Sequence, residues 1–306
     1  MYLFILLCLL AAVGLGGAYY AYRIAFYSPM KERDKIAPIE GEKYDRHREE
    51  MRRLFRQLKD RPCEYVSVMS HDGLLLSGRY YHVKDGAPLD IGFHGYRSSP
   101  LRDFSGGSEM SFRMEHNLLL VDQRAHGRSQ GRTIAFGIQE RQDLLKWVDY
   151  AIERFGTDVK ILLYGVSMGG STVLIASELS LPANVKGIIA DCPYASAVEI
   201  ILHVGKNKPI PAYLIRPFAM LGAKIFGGFD LTETDAGKAV RHTRVPILII
   251  HGAADGFVPH EMSDIVKNNP EMVQRYLFPG ADHGLSYLED PVRYQNIVME
   301  FLKRIM

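Results

Sequence analysis

The sequence predicts an α/β fold with a mostly parallel sheet, an antiparallel hairpin at its N-terminal edge and helices on both faces. Short apolar runs alternate with segments of helical periodicity from about residue 63 onwards. The first two runs, 65–69 and 74–82, are joined by His71-Asp72-Gly73, a hairpin signal. The 306 residues are 47% hydrophobic, which is enough for one large core or two small ones.

The bulk composition excludes several classes of protein. A formal net charge of +2 gives no field that would attract a nucleic acid, so we expect no such partner. The three cysteines, Cys8, Cys63 and Cys192, cannot all pair and lack metal-site spacing. We therefore expect neither a metal nor a cofactor.

The N-terminal segment from Tyr2 to Tyr22 has no charged side chain and is long enough to cross a bilayer. No Lys or Arg precedes it, which argues against a cleaved signal peptide. Basic residues follow it, interleaved with Glu32 and Asp34: Arg23, Lys31, Arg33 and Lys35. We predict a transmembrane anchor over residues 1–27, with the rest of the chain on the cytoplasmic side.

Residues 28–62 are predicted to be a charged linker that becomes helical around Tyr44 to Leu58. An apolar stripe runs along that helix: Met51, Leu54, Phe55 and Leu58. Its arginines suit anionic lipid head groups, and a helix docked on the following domain is an equally good interpretation.

The globular domain is predicted over residues 63–306. Beyond the hairpin, strands are expected at 89–93, 117–121, 161–164, 185–190, 246–250 and 272–278. Helices are expected over Gln139 to Phe155 and from about Asp290 to the C-terminus. In such sheets ligands bind beyond the carboxyl ends of the strands, where the polar motifs of this chain lie.

The segment Gly165-Val166-Ser167-Met168-Gly169 follows the strand at 161–164 directly and precedes a helix-compatible run. Strand, tight turn and helix with Ser at the apex is typical of a nucleophile elbow. Glycines are needed beside the Ser because its strained backbone leaves no room for neighbouring Cβ atoms. Ser167 is the candidate nucleophile.

A nucleophilic Ser requires a base and an orienting carboxylate, and both follow later strands. His283 comes after the run at 272–278, and Asp255 comes after the run at 246–250. Asp191, which ends the strand at 185–190, is the alternative acid. Asp282 is adjacent to His283, so we expect it to shape the turn. For the oxyanion hole we predict the backbone N–H groups of Met168 and Tyr96.

These motifs resemble the α/β-hydrolase superfamily over about residues 63 to 306. The resemblance rests on the following segments: His94-Gly95, Asp122 to Ser129, Gly165-x-Ser167-x-Gly169, Asp255-x-x-Val258-Pro259 and His283-Gly284. More narrowly the chain resembles membrane-anchored bacterial hydrolases of the Bem46-like group, where Asp191 to Tyr194 also has a counterpart. The resemblance implies esterase-type acyl transfer by Ser167, Asp255 and His283.

One residue departs from the family pattern. Ala125 stands where Gly is usual in Arg-Gly-His-Gly, in a loop that flanks the site. Within this family His126 reads as a loop-stabilising residue. The chain order Ser, Asp, His favours Asp255 over Asp191 as the acid.

An insertion at about 194–244 is predicted to form a helical cap over the site. It is strongly apolar, with the following large side chains: Ile210, Ile215, Phe218, Met220, Phe226 and Phe229. Such a surface suits an acyl or aryl substrate, although some of these side chains must pack the cap onto the core. We expect a serine hydrolase of carboxylic esters. The alternatives are an acyl-thioesterase or peptidase with the same residues, or a non-catalytic, membrane-tethered binding protein.

Overall fold

A computed structural model describes residues 1–29, 42–206 and 211–306. The strands are β1 Glu64–Met69, β2 Leu75–Tyr81, β3 Leu89–Phe93, β4 Asn117–Asp122, β5 Ile161–Val166, β6 Val185–Asp191, β7 Ile247–Gly252 and β8 Val273–Phe278. The α-helices are α1 Tyr2–Ala25, α2 Arg48–Asp60, α3 Pro100–Asp103, α4 Ser105–Arg113, α5 Glu140–Phe155, α6 Met168–Ala176, α7 Ala197–Gly205, α8 Ala212–Gly222, α9 Ala236–Ala239, α10 Ser286–Glu289 and α11 Pro291–Ile305. Six of the residues discussed above lie outside the described residues: Lys31, Glu32, Arg33, Asp34, Lys35 and Ile210.

The eight strands form one sheet in the order β1-β2-β4-β3-β5-β6-β7-β8. β2 is antiparallel to both of its neighbours, β1 and β4, and every other pair of adjacent strands is parallel. The predicted fold class is therefore confirmed. β3 lies between β4 and β5 in the sheet. Because β3 pairs with β5 in parallel, the carboxyl ends of these two strands lie side by side.

Helices cover both faces of the sheet. On one face α5 and α6 bury apolar side chains such as Trp147 and Val173, and on the other α4 and α11 bury Met110 and Phe301. Two predicted helices agree with α5 and α11, whose N-cap Asp290 accepts a hydrogen bond from the Arg293 N–H. The predicted helix at 44–58 is a 3₁₀ segment, Glu42–His47, followed by α2.

The apolar stripe of α2 faces the protein. Met51, Leu54 and Leu58 are buried, and Leu58 belongs to the same core cluster as α11. The segment between β6 and β7 contains α7, α8, a π-helical turn at Ala223–Gly227, and α9.

In the described part of the chain, α1 is the one helix long and apolar enough to cross a membrane, with a mean hydropathy of 2.1. Its side chains are exposed from Tyr2 to about Gly16, whereas Ala18, Tyr22 and Phe26 just beyond its end are buried. The C-terminal part of α1 therefore packs on the globular domain.

Candidate active site

Ser167 lies at the turn between β5 and α6 with a φ of 55°, in the left-handed region that non-glycine residues avoid. A Cβ on Gly165 would lie 2.1 Å from the Gly169 carbonyl oxygen. A Cβ on Gly169 would lie 1.8 Å from the carbonyl oxygen of Phe93 at the end of β3. Only glycine fits at either position, which explains the sequence pattern around Ser167.

The structure brings Ser167, His283 and Asp255 into one hydrogen-bonded chain. His283 Nε2 lies 3.0 Å from Ser167 Oγ, and His283 Nδ1 lies 2.7 Å from Asp255 Oδ2. The Nδ1–H group donates a hydrogen bond to the carboxylate, so Nε2 carries no proton and can accept the hydrogen bond of the Ser167 hydroxyl. His283 is 15% exposed at its side chain, and Asp255 is fully covered.

Asp255 is held as an anion by its hydrogen-bond donors. Burial by itself raises the pKa of Asp255, but hydrogen bonds from His251 and His283 and from the Val258 N–H outweigh it and hold the pKa below its usual range. The Phe257 N–H also donates to Asp255 Oδ1, at 2.9 Å. The Asp255 carboxylate that faces His283 Nδ1 therefore stays ionised at a lower pH than an ordinary aspartate does.

Asp191 occupies a different position. Its Oδ2 accepts a hydrogen bond of 2.9 Å from the Tyr294 hydroxyl, and its Oδ1 is buried without a partner among the described residues. Burial raises the pKa of Asp191 from 3.8 to about 6, although the Tyr294 hydrogen bond opposes this shift. Asp191 makes no hydrogen bond to His283 in the described structure, and Asp255 takes that place.

The loop after β3 runs close to Ser167. A Cβ on Gly95 would lie 3.3 Å from Ser167 Cβ, and the Gly95 N–H donates to Asp103 Oδ2 at 2.7 Å. The next amide, that of Tyr96, and the amide of Met168 donate to no acceptor among the described residues. The oxyanion-hole role of these two amides stays a prediction.

The loop after β4 supports that arrangement. Ala125 has a φ of 61°, which explains why glycine is usual at this position in the family pattern. His126 Nδ1 lies 2.9 Å from the Arg124 carbonyl oxygen, and its Nε2 accepts the Arg97 N–H at 2.9 Å. Because both ring nitrogens are used to join two loops, the geometry agrees with a structural role for His126.

Ser167 borders two cavities of different character. One, of about 330 Å³, is lined almost entirely by apolar side chains from α1, α7 and α8 together with Tyr96 and Phe136. The other, of about 250 Å³, lies on the His283 side and includes Arg97, Arg102 and Asp103. Ser167 therefore lies between an apolar cavity and a more polar one.

Two groups of side chains have atoms that ligate metals. The ligand atoms of Cys192, Asp255 and His283 lie within 4.8 Å of one another, and so do those of His71, Asp72 and Asp143. In the first group the two hydrogen bonds of His283 use both ring nitrogens. In the second, the buried Arg124 guanidinium binds Asp143 at 2.6 Å and Asp72 at 3.0 Å and supplies the positive charge.

Sequence reasoning missed several neighbours of the site. His251 lies one residue before the end of β7, and its Nε2 lies 3.2 Å from Asp255 Oδ2. Phe257 packs edge-on against the His283 ring, with centroids 5.1 Å apart. The position of His251 near the end of a buried strand is a sequence signal for a residue close to the site. No sequence pattern indicates that α1 contributes to the apolar cavity.

Comparisons with known proteins agree with this architecture. The family model described as alpha/beta hydrolase fold matches residues 107–214. The sheet order, the turn at Ser167 and this match together show that the chain has the α/β-hydrolase fold.

Among curated proteins, the chain is similar to the uncharacterized protein YqkD of Bacillus subtilis strain 168, at 28% identity over 190 residues. That alignment covers 61% of this chain and 62% of YqkD. Among solved structures, the esterase PF2001 of Pyrococcus furiosus matches with a TM-score of 0.66 and 22% identity, over 82% of this chain and 94% of its own. Est1E of Butyrivibrio proteoclasticus, solved with ferulic acid, matches with a TM-score of 0.58 and 21% identity, over 78% of this chain and 99% of its own.

Proposed function

We propose that the protein is a serine esterase that cleaves carboxylic esters of apolar acyl or aryl groups through an acyl-enzyme. The observation that carries the proposal is the chain of hydrogen bonds from Ser167 through His283 to Asp255, at 3.0 and 2.7 Å. The 330 Å³ apolar cavity that begins at Ser167 supports an apolar acyl group. The similar fold of an esterase from Pyrococcus furiosus supports the same class of reaction.

Each residue of the site has a defined role in this proposal. Ser167 Oγ attacks the ester carbonyl carbon while His283 Nε2 takes its proton, and His283 then protonates the departing alcohol. The Asp255 carboxylate holds the proton on Nδ1 and stabilises the imidazolium that forms. The N–H groups of Tyr96 and Met168 stabilise the oxyanion of the tetrahedral intermediate. Water, activated by His283, then releases the acyl group from Ser167.

The test is labelling of the purified full-length protein by a small fluorophosphonate, together with hydrolysis of p-nitrophenyl esters. We expect Ser167→Ala and His283→Ala to abolish labelling and turnover, and the exposed control Ser180→Ala to retain both. Asp255→Asn should lower kcat by about 10⁴-fold because it leaves the imidazole in the wrong tautomer. Asp191→Asn should keep most of the activity, because Asp191 contacts Tyr294 and not His283.

Two outcomes would contradict this assignment. If the parent protein is neither labelled nor active on any ester, the esterase proposal is wrong and a binding function takes its place. If Asp191→Asn inactivates the protein while Asp255→Asn does not, the acid is misassigned. Faster turnover of acyl thioesters than of matched oxygen esters would make the protein a thioesterase with the same residues.

A further inference from the structure

The apolar cavity beside Ser167 has α1 as one of its walls. Five residues from the C-terminal part of α1 line it: Gly17, Tyr20, Ala21, Ile24 and Ala25. The opposite wall is formed by α7 and α8, through residues such as Val204 and Ile215. Tyr20 and Ile24 line the cavity and are also 58% and 45% exposed, so the cavity reaches the protein surface along α1.

Hydrogen bonds fix the end of α1 to the loop that passes Ser167. The Tyr96 hydroxyl donates to the Ala25 carbonyl oxygen at 2.9 Å. Arg97 Nη2 donates to the carbonyl oxygens of Ile24 at 2.8 Å and Tyr27 at 3.0 Å. Because cations favour a helix C-terminus, Arg97 also stabilises the end of α1 electrostatically. The loop that carries the proposed oxyanion donor is therefore tied directly to α1.

Apolar packing holds the same end of the helix. Phe26 is fully buried and packs edge-on against Phe136 and Phe229, with centroids 5.7 and 5.4 Å apart. Phe136 in turn packs against Tyr96, with centroids 5.2 Å apart, and lines the cavity. The position of α1 relative to Ser167 is thus set by contacts of several kinds rather than by a linker.

The length of α1 sets the depth of the cavity relative to a bilayer. A hydrocarbon core of about 30 Å requires about 20 helical residues. A span that begins at Tyr2 therefore ends near Ala21, and the exposed stretch from Tyr2 to Gly16 supplies most of it. Gly17, Tyr20 and Ala21 then lie at the boundary between the acyl chains and the head groups.

The cap beside α1 presents an apolar surface at the same level. Phe226 is 36% exposed and packs edge-on against Tyr19 of α1, with centroids 5.2 Å apart. Leu221 and Ile225 next to it are also exposed. An exposed apolar patch contiguous with a bilayer-spanning helix is a surface that lipid covers.

We propose, on the basis of the esterase function above, that α1 is a wall of the acyl-binding site as well as an anchor. The substrate class that follows is an acyl ester of a bilayer lipid. Its acyl chain enters between α1 and the cap at the membrane surface, and its carbonyl carbon reaches Ser167. The polar head group remains on the side of the second cavity, where Arg97 and Arg102 lie.

The test is a bulky substitution in the α1 wall of the full-length protein. Ala21→Phe adds a ring at a residue that lines the cavity, whereas Ala12→Phe makes the same change at an exposed position of the same helix. We expect Ala21→Phe to lower the ratio of kcat/KM for dodecanoyl over butanoyl p-nitrophenyl esters roughly tenfold or more. Ala12→Phe should leave the ratio unchanged. Ile24→Ala, which enlarges the cavity, should move the preferred chain to a longer one.

The substrate's source is tested with monoacylglycerol embedded in phosphatidylcholine vesicles. We expect Ala21→Phe to slow its hydrolysis as strongly as that of the soluble dodecanoyl ester; a reduction with the soluble ester alone would overturn entry from the bilayer. If every variant has the parent's chain-length profile, α1 is not a wall of the site. Labelling of each variant by the small fluorophosphonate verifies that Ser167 is intact. Loss of labelling in the parent would contradict the esterase function instead.

Discussion

At the scale of single residues, two buried carboxylates at neighbouring strand ends behave in opposite ways. Asp255 receives hydrogen bonds from two histidines and from backbone amides, and these hold its pKa below the usual range despite burial. Asp191 receives one hydrogen bond, from Tyr294, and the effect of burial is larger, so its pKa is raised. Burial acts on both carboxyl groups, and only at Asp255 do the hydrogen bonds outweigh it and lower the pKa.

This difference predicts a pH-dependent contribution of Asp191 to stability. Its pKa is raised from 3.8 to about 6, so between these values the folded protein keeps a proton that the unfolded chain has lost. The contribution of protonated Asp191 to the free energy of unfolding is complete below about pH 4, and it is lost as the pH rises through about 6. Relative to the parent, Asp191→Asn should gain on the order of 3 kcal/mol in the free energy of unfolding between pH 4 and pH 7.

Urea unfolding in detergent at both pH values provides the measurement. Other buried acids, including Asp103 and Glu140, also have a raised pKa, and subtraction of the parent's values removes their contribution. A constant difference between parent and variant across this range would show that Asp191 does not titrate there.

At the scale of elements, the contact between α1 and α8 depends on small residues. A Cβ on Gly222 would lie 2.5 Å from the Ala18 carbonyl oxygen, and a Cβ on Gly17 would lie 2.6 Å from the Phe218 ring. Glycine at these positions lets the two helices approach closely, as small residues do between membrane helices. Gly17 and Phe218, which take part in this contact, also line the apolar cavity.

We expect Gly222→Ala to force α1 and α8 apart, since its Cβ meets backbone that cannot rotate away. The expected destabilisation is about 1–3 kcal/mol, which lowers Tm by several degrees. Gly16→Ala is the matched control, because a Cβ there meets nothing within 4 Å. Equal Tm values for the two variants, measured by thermal unfolding in detergent, would contradict close packing of α1 on α8.

At the scale of the whole molecule, the C-terminal part of α1 is packed as part of the folded domain. The boundary predicted at residue 27 crosses a packed region: the Ser28 N–H donates to the Arg132 carbonyl oxygen at 2.9 Å, and the Ile134 N–H donates to that of Phe26 at 2.8 Å. The Tyr22 hydroxyl also lies 3.0 Å from Thr133 Oγ1. The C-terminal part of α1 and the segment after β4 therefore share one set of contacts.

Two truncations distinguish an integrated helix from a tether. Removal of residues 2–16 takes away the exposed apolar stretch and leaves the docked part of α1 in place. Removal of residues 2–28 also uncovers the apolar site of Phe26. We expect the shorter truncation to keep a cooperative thermal transition and the longer one to lose it or to aggregate in size-exclusion chromatography. Identical behaviour of the two would mean that α1 serves as an anchor alone.

Much of the fold and of the candidate site was determined by the sequence itself. Alternating apolar runs specified the strands, since a buried parallel strand must be apolar on both faces. The glycines around Ser167 are informative because the turn leaves no room for a Cβ: one added to Gly169 would lie 1.8 Å from the Phe93 carbonyl oxygen. The order of Ser167, Asp255 and His283 along strand ends followed from the same local patterns.

The tertiary structure alone decided which distant groups meet. Asp191 and Asp255 both end or follow a parallel strand, and only the packing of Tyr294 and His251 assigns each carboxylate its partner. The apolar pattern of α1 is the same for a free anchor and for a helix docked on a cap, because hydropathy does not specify a neighbour. The segments that form the wall of the cavity, which are α1, α8 and the loop after β3, are far apart in the chain. The wall therefore forms only when the chain is folded.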